Sequence, residues 1–455
     1  MNKNRLWIVN ALILTQNAER DVFRGHVEIV GNRIAALHEH DAPVPEGVRT
    51  LDAGGLVVMP GLIQPHIHLC QTLFRNLADD LELMDWLSER IWPLEAAHDS
   101  ESLYLSAQLG IQELLASGTT CILDMATVHH TEAVLEAVRD SGIRANVGKC
   151  LMDHPQTCPD SLRQSKEDAL SEARELFEKW HGEADGRIQV SYAPRFVVSC
   201  TEELLLQVRD LAAEQGAIIH THSSENEKEV ELVRSLVGEE NAAYLYHIGL
   251  MSPRLVLAHC VWLNDTEIGH LASTGTHVVH CPSSNMKLAS GFAKVPEMLA
   301  AGINVALGAD GAPCNNNLSA LQEMRLAALI HKPGRGPRTL PASEVLDMAT
   351  RNGARALGLE AEIGSIEVGK KADLIALDLD HPANFLPYHK GELPSHDQLA
   401  SAIVYASQPG HVKWTLVDGD IVSLDGRALR IPARDLEPRR IRDIQRKLMQ
   451  RAKGE

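Results

Sequence analysis

The sequence predicts an α/β protein built on a parallel (β/α)8 TIM barrel, and three observations predict it. Residues 54–312 hold eight short apolar or β-branched runs. Between most of them lie segments with apolar residues at i, i+3 and i+4, the spacing of an amphipathic helix. Polar residues able to do chemistry recur at the C-terminal ends of the runs, where a barrel keeps its active site. Strands alternating with helices form parallel β/α units, and eight such units close into a barrel.

Taken in order, the runs are LVVMPGLIQPHIHL (56–69), GTTCILDM (118–125), RANVGKCLMD (144–153) and RIQVSYAPR (187–195). They continue with AIIHTHSSE (217–225), RLVLAHCVWL (254–263), THVVHCPSSN (276–285) and NVALGADGA (304–312). The intervening helices include residues 102–117 and 201–215. In the second, Thr201 with Glu202 and Glu203 makes a capped start and Gly216 a stop. Outside the barrel, residues 1–53 and about 365–430 read as short strands joined by turns. Leu6–Leu14 reads as a strand, RGHVEIVGNRIAAL (24–37) as a hairpin turning at Gly31-Asn32, and KADLIALDL (371–379) as another strand. Two separated β-rich ends are most simply one small β domain. The expected division is therefore 59–363 for the barrel, with 1–58 and 364–455 for the composite domain. The last 22 residues (434–455) carry eight Lys/Arg against four Asp/Glu and read as a solvated basic helix.

Composition limits the function. The 455 residues carry 43 Lys+Arg and 61 Asp+Glu, a formal net charge of −18. This argues against nucleic-acid or anionic-membrane partners, which need a Lys/Arg surface. Eight cysteines without a C-x-x-C pair are too sparse for a disulfide scaffold and suit a reducing cytoplasm. No stretch approaches the roughly 20 apolar residues of a membrane span.

The first barrel run ends in His66-Ile67-His68. Residues two apart on a strand share a face, so both imidazoles point into the barrel mouth. The fifth run ends in His220-Thr221-His222, the sixth in His259, and the eighth in Asp310. A lone histidine there would be an ordinary core residue, but four strand ends bearing His or Asp point to a metal. Three imidazoles and a carboxylate leave an open position for water on a zinc-like ion. Glu225 follows His222 by three residues, where a carboxylate just outside the ligands can carry protons. Glu227 and Glu229 read as helix N-terminal charges.

The segments PGLIQPHIH, HTHSSE, LAHC, GADG and GSIEVGKKADLIALD resemble the amidohydrolase superfamily, in family order over about residues 5–425. More closely, they resemble its purine and triazine aminohydrolases. The resemblance implies a (β/α)8 barrel with a β-sandwich composed from both termini. It implies His66, His68, His222 and Asp310 as metal ligands, Glu225 as proton shuttle, and His259 as the residue orienting the attacking water. His220 then has a supporting role. Two-metal relatives carry a carboxylated lysine on the fourth strand. Residues 187–195 hold none, which implies one divalent ion per chain, zinc ahead of iron, with Lys149 in a substrate or structural role ahead of serving as an alternative bridge. Self-association as a homo-oligomer is expected from the family.

Two features bear on the substrate. NLADDLELMDWLSERIWPLE (76–95) resembles the loop of methylthioadenosine, S-adenosylhomocysteine and 5′-deoxyadenosine deaminases. That resemblance implies Glu95 on the ribose hydroxyls, Trp86 at the entrance, and Lys149 and Arg163 near the 5′ substituent. APRFVVSC (193–200) and Gln71 instead resemble guanine deaminases, implying Gln71 and Arg195 on the base. The expectation is deamination of an adenosine-type nucleoside. Guanine, an oxidised purine or a pterin is the alternative, an s-triazine amino- or chlorohydrolase a further one, and a catalytically inert barrel scaffold the reading from another class.

Overall fold

In the computed structural model, which describes residues 5–386 and 392–454, the parallel strands lie where the sequence places them. Leu62–His68, Thr119–Met125, Arg144–Leu151, Ile188–Pro194, Ile219–Ser223, Leu255–His259 and His277–His280 hydrogen-bond side by side in chain order. The eighth run is two short pieces. Val305–Leu307 pairs with the seventh strand, and Asp310–Gly311 pairs with the first through Asp310 opposite Ile67. One run thus joins both edges and closes the ring, so the sheet has no exposed edge. Every residue of the first, second and third strands is buried.

The run 56–69 proves to be two strands. Val57–Pro60 pairs with Leu374–Leu377 and with the N-terminal strand Arg5–Leu14, and only Leu62–His68 enters the barrel. The break falls at Gly61, where a Cβ would sit 2.1 Å from Thr120 Oγ1. Only glycine lets the chain pass that threonine.

Two compact units result. One comprises residues 1–64, 112–121 and 319–430, and the other 65–111, 122–318 and 431–455. The first holds a nine-stranded mixed sheet drawn from both ends of the chain, with Ile8, Ile13, Val27, Ile29, Val58, Leu374, Trp414 and Leu416 in its core. The predicted hairpin is there: Val22–Val30 pairs antiparallel with Arg33–Glu39 across Gly31-Asn32.

The second unit carries the strand ends of interest. Its helix Glu202–Gln215 starts as expected, with Thr201 Oγ1 accepting from Leu204 N–H at 3.3 Å. The basic C-terminal segment is the helix Pro438–Ala452, and it is amphipathic rather than solvated all round: Ile444 and Leu448 are buried. All eight cysteines are buried and free. Among the described residues no helix is long and apolar enough to cross a membrane.

Candidate metal centre and substrate cleft

His66 and His68 leave the first strand on the same face, as the two-residue period requires, and both are buried. Four imidazoles converge here with Asp310, and the tautomers of two are readable. A carbonyl can only accept, so His68 Nδ1 donates to Met125 O at 2.8 Å and His222 Nδ1 to Arg195 O at 2.7 Å. Each therefore presents Nε2 as a lone pair, and the two Nε2 atoms lie 3.2 Å apart. His66 Nδ1 meets His220 Nε2 at 2.9 Å, and His259 Nδ1 meets Asn285 Oδ1 at 2.8 Å. Asp310 Oδ1 stands 3.2 Å from His66 Nε2 and 3.4 Å from His68 Nε2.

The donors fit a divalent ion. His66, His222 and His259 form one group of candidate ligand atoms, and His66, His68 and Asp310 another, all within 4.8 Å of one another. The Nε2 atoms of His66 and His259 are buried without a hydrogen-bond partner, which is costly unless something electrophilic sits between them. Two nitrogens bound tetrahedrally to zinc at about 2.0–2.1 Å would lie about 3.3 Å apart, close to the His68–His222 separation. Burial pushes the imidazoles of His66, His68, His220 and His222 down, His68 to about 4, which keeps them neutral as ligation needs. Burial alone would raise Asp310, but its contact with His66, with His259 and His68 nearby, holds the carboxyl well below the usual range.

The backbone at these strand ends is unusual. His259, Cys260 and Asp310 have φ of 73°, 50° and 63°, and Ser224 has 52°. Left-handed non-glycine residues cost energy and gather where function fixes the geometry. Here they stop the sixth strand at His259 and turn Asp310 toward the imidazoles. Ser284 Oγ then donates to Asp310 Oδ2 at 2.6 Å and Gly311 N–H to Oδ1 at 2.8 Å.

Glu225 is buried, with Oε2 3.4 Å from His259 Nε2 and Oε1 unpartnered. Burial, with Asp310 and Glu229 nearby, pushes its carboxyl well above the ordinary range, which favours the protonated, donating form. Glu229 is more than a helix N-terminal charge. It is buried, and its Oε2 accepts from Glu225 N–H at 2.7 Å and Asn226 N–H at 3.3 Å. The Asn226-x-x-Glu229 capping-box spacing was the signal for it. Asn285, Ser284 and His220 are the other supports, and nothing in their spacing marks Ser284 or Asn285.

Beside the candidate metal centre lies a cleft whose lining includes His68, Gln71, Trp86, Arg195, Glu225 and Asp310. Trp86 is buried, with its indole N–H unpartnered. Glu95 stands behind the lining: Arg195 Nη1 donates to its Oε2 at 2.6 Å, Arg195 Nη2 to Oε1 at 3.3 Å, and Gln71 Nε2 to Oε1 at 2.9 Å. Burial would raise Glu95, but Arg195 outweighs it and holds the carboxylate ionised. Gln71 Oε1 is left without a partner, in space that a side chain at Gly311 would fill: a Cβ there would lie 2.0 Å from it. Residues expected to bind different parts of different substrates thus form one buried cluster.

Lys149 stands apart from this cleft. Its ammonium donates to Val128 O and Gln164 Oε1, both at 2.7 Å, and pairs with Glu172 at 3.2 Å. Arg163 donates to Pro155 O and pairs with Asp160.

Buried His98 makes a prediction about acid stability. Its Nε2 donates to Cys70 O at 2.9 Å, its Nδ1 faces Ser102 Oγ at 3.0 Å, and burial pushes it down to about 4. The folded form binds the proton less readily than the unfolded chain, so the contribution is full above about 6.5 and is lost as pH falls toward 4. A His98→Gln variant is expected to show a shallower loss of stability over that window, by at most about 1.4 kcal/mol per pH unit. Denaturant titrations at pH 7 and 5 measure this, and equal slopes would refute it.

The amidohydrolase family profile matches residues 57–422. The chain is 41% identical over 428 residues to a 5-methylthioadenosine/S-adenosylhomocysteine deaminase of Syntrophobacter fumaroxidans, covering 93% of this chain and 94% of that protein. It is 40% identical over 425 residues to a 5′-deoxyadenosine deaminase of Methanosarcina acetivorans, with 93% of each covered. Among solved structures, a zinc-bound adenosine deaminase from Xanthomonas campestris superposes with a TM-score of 0.88 at 30% identity over 99% of both chains.

Proposed function

Since the chain belongs to the amidohydrolase family and is a hydrolytic deaminase, we propose that its substrate is an adenosine-type nucleoside. The class includes 5′-deoxyadenosine, methylthioadenosine and S-adenosylhomocysteine, and the products are the inosine-type nucleoside and ammonia. The relatives' activities support the class. The observation that carries the mechanism is buried Glu225 lining the cleft 3.4 Å from His259 Nε2, its carboxyl pushed up by burial, with Asp310 held well below the usual range beside them.

One divalent ion held by His66, His68, His222 and Asp310, zinc as in the solved relative, supplies activation of the attacking water when bound. Asp310 and His259 accept the water proton as its oxygen bonds to the amino-bearing ring carbon. Glu225 donates to the adjacent ring nitrogen, which takes the electron pair of the broken C=N bond. The proton held by Asp310 and His259 then passes to the exocyclic nitrogen. The C–N bond breaks, ammonia leaves, and the ring carbonyl forms as the added hydroxyl passes its remaining proton to Glu225, the ring nitrogen keeping the one it received. Glu229 keeps Glu225 aimed through the backbone N–H.

One observation favours a second reading. Both oxygens of Glu95 are taken by Arg195 and Gln71, while Gln71 and Arg195 line the cleft and Gln71 Oε1 is left without a partner. That arrangement suits an oxopurine or pterin read by Gln71 and Arg195. Ammonia release from 5′-deoxyadenosine and from guanine at equal concentration separates the two. The first reading expects faster release from the nucleoside. It also expects Glu95→Gln to raise KM for the nucleoside about tenfold, one hydrogen-bonded contact's worth, with guanine unaffected. Faster release from guanine, with KM for guanine raised in the variant, would establish the second.

A further inference from the structure

We propose that the basic C-terminal helix is a positioning element of the substrate cleft, with Gln445 and Arg451 holding the two segments that bring Gln71 and Glu95 together. The inference rests on the reading that the Gln71–Glu95–Arg195 cluster forms the substrate-facing wall.

Gln71 lies in the 3-10 turn Leu69–Phe74, and Glu95 in the short helix Trp92–Ala96. Neither segment is long enough to hold its own shape, and a hydrogen bond between these two side chains joins them. From Pro438–Ala452, Gln445 Nε2 donates to Leu73 O at 2.7 Å, two residues after Gln71. Arg451 Nε donates to Ala97 O at 2.7 Å, two residues after Glu95. Six residues of helix separate the donors by about 9 Å, so one rigid rod ties both segments at their ends.

The rod is seated for that task. Ile444, Leu448 and Arg451 follow one another at i, i+4 and i+7, a single stripe, and Ile444 and Leu448 are buried. The Arg451 guanidinium also lies 3.1 Å from Asp99 and donates to Ser102 Oγ at 3.2 Å. Ser102 Oγ faces His98, and His98 donates to Cys70 O, the residue before Gln71. Arg451 therefore reaches the Gln71 turn by a second route. The charges that make the segment read as a solvated basic helix lie largely elsewhere on it, exposed Arg439, Arg442 and Lys447 among them.

The test uses full-length, metal-replete protein carrying Gln445→Ala together with Arg451→Ala, assayed on whichever of 5′-deoxyadenosine and guanine the wild type turns over faster. Metal content and kcat should stay within about twofold, while KM rises about tenfold, the loss of one or two aligned hydrogen bonds. Arg451→Lys alone, which keeps a donor for Ala97 O, should restore most of the affinity. Gln445→Ala alone removes one neutral bond and serves if the double variant folds poorly. Unchanged KM with a lowered melting temperature would mean that the helix only packs, and would overturn the proposal. A parallel fall in metal content would overturn it too, by placing the effect at the ligands. Gln71→Ala separates the premises: if it raises KM and the helix variants do not, the proposal alone fails. If Gln71→Ala leaves KM unchanged, the reading of the wall fails and takes the proposal with it.

Discussion

Glu225→Gln is expected to keep its metal and lose roughly 10²–10⁴-fold in kcat, the usual worth of a positioned general acid–base. The amide fills the same space, and Glu225 is outside both groups of candidate ligand atoms, so metal content should match wild type. What the variant lacks is a transferable proton. The wild-type carboxyl is pushed up by burial and by neighbouring Asp310 and Glu229, which extends the donating form toward higher pH, and that form is lost as pH rises through the raised value. The alkaline fall in kcat/KM should therefore be present in wild type and missing from the residual activity of Glu225→Gln. Metal analysis with a pH profile of ammonia release measures both. Equal turnover in the variant would remove Glu225 from the mechanism.

Chelation is expected to abolish turnover and to destabilise the fold. The site gathers four buried imidazoles and a buried carboxylate, with the Nε2 atoms of His66 and His259 unpartnered. An ion that binds only the folded chain stabilises it by RT ln(1 + [M]/Kd), about 4 kcal/mol at a thousandfold excess over Kd. Removing it should lower the melting temperature by several degrees, and readdition of zinc should restore both signals. Iron that restored activity while zinc did not would correct the metal assignment. A chelated protein with full activity would refute metal dependence.

The strand ends were legible because their signal is local. His66 and His68 share a face through the two-residue period, and each of the other donors closes its own apolar run. The tie between Glu95 and Arg195 was not legible, because 100 residues separate them and the sequence shows only that each is ionisable. Family resemblance assigned them to different substrates for the same reason. The split of the run 56–69 was hidden because both halves are apolar, and Gly61 looks like any other glycine until Thr120 stands beside it. Glu229 was visible as a helix start, and its capping-box spacing from Asn226 was the one signal that it bonds the backbone there; that this backbone includes Glu225 N–H and is buried left no mark in the sequence. The C-terminal helix misled through its charge: six cations hide two buried apolar residues and two hydrogen bonds to carbonyls.

The carbonyls of Met125 and Arg195 fix the tautomers of His68 and His222. Main-chain oxygens are the same whatever residue carries them, so no single codon change deletes those two restraints. The wall formed by Gln71, Glu95 and Arg195 is made of side chains throughout, and any one substitution rewrites it. If the wall reads the substrate as proposed, the chemistry is thus shielded from drift in part, while the choice of substrate is open to it. A lineage built this way can exchange one ring for another while its hydrolytic centre stays intact.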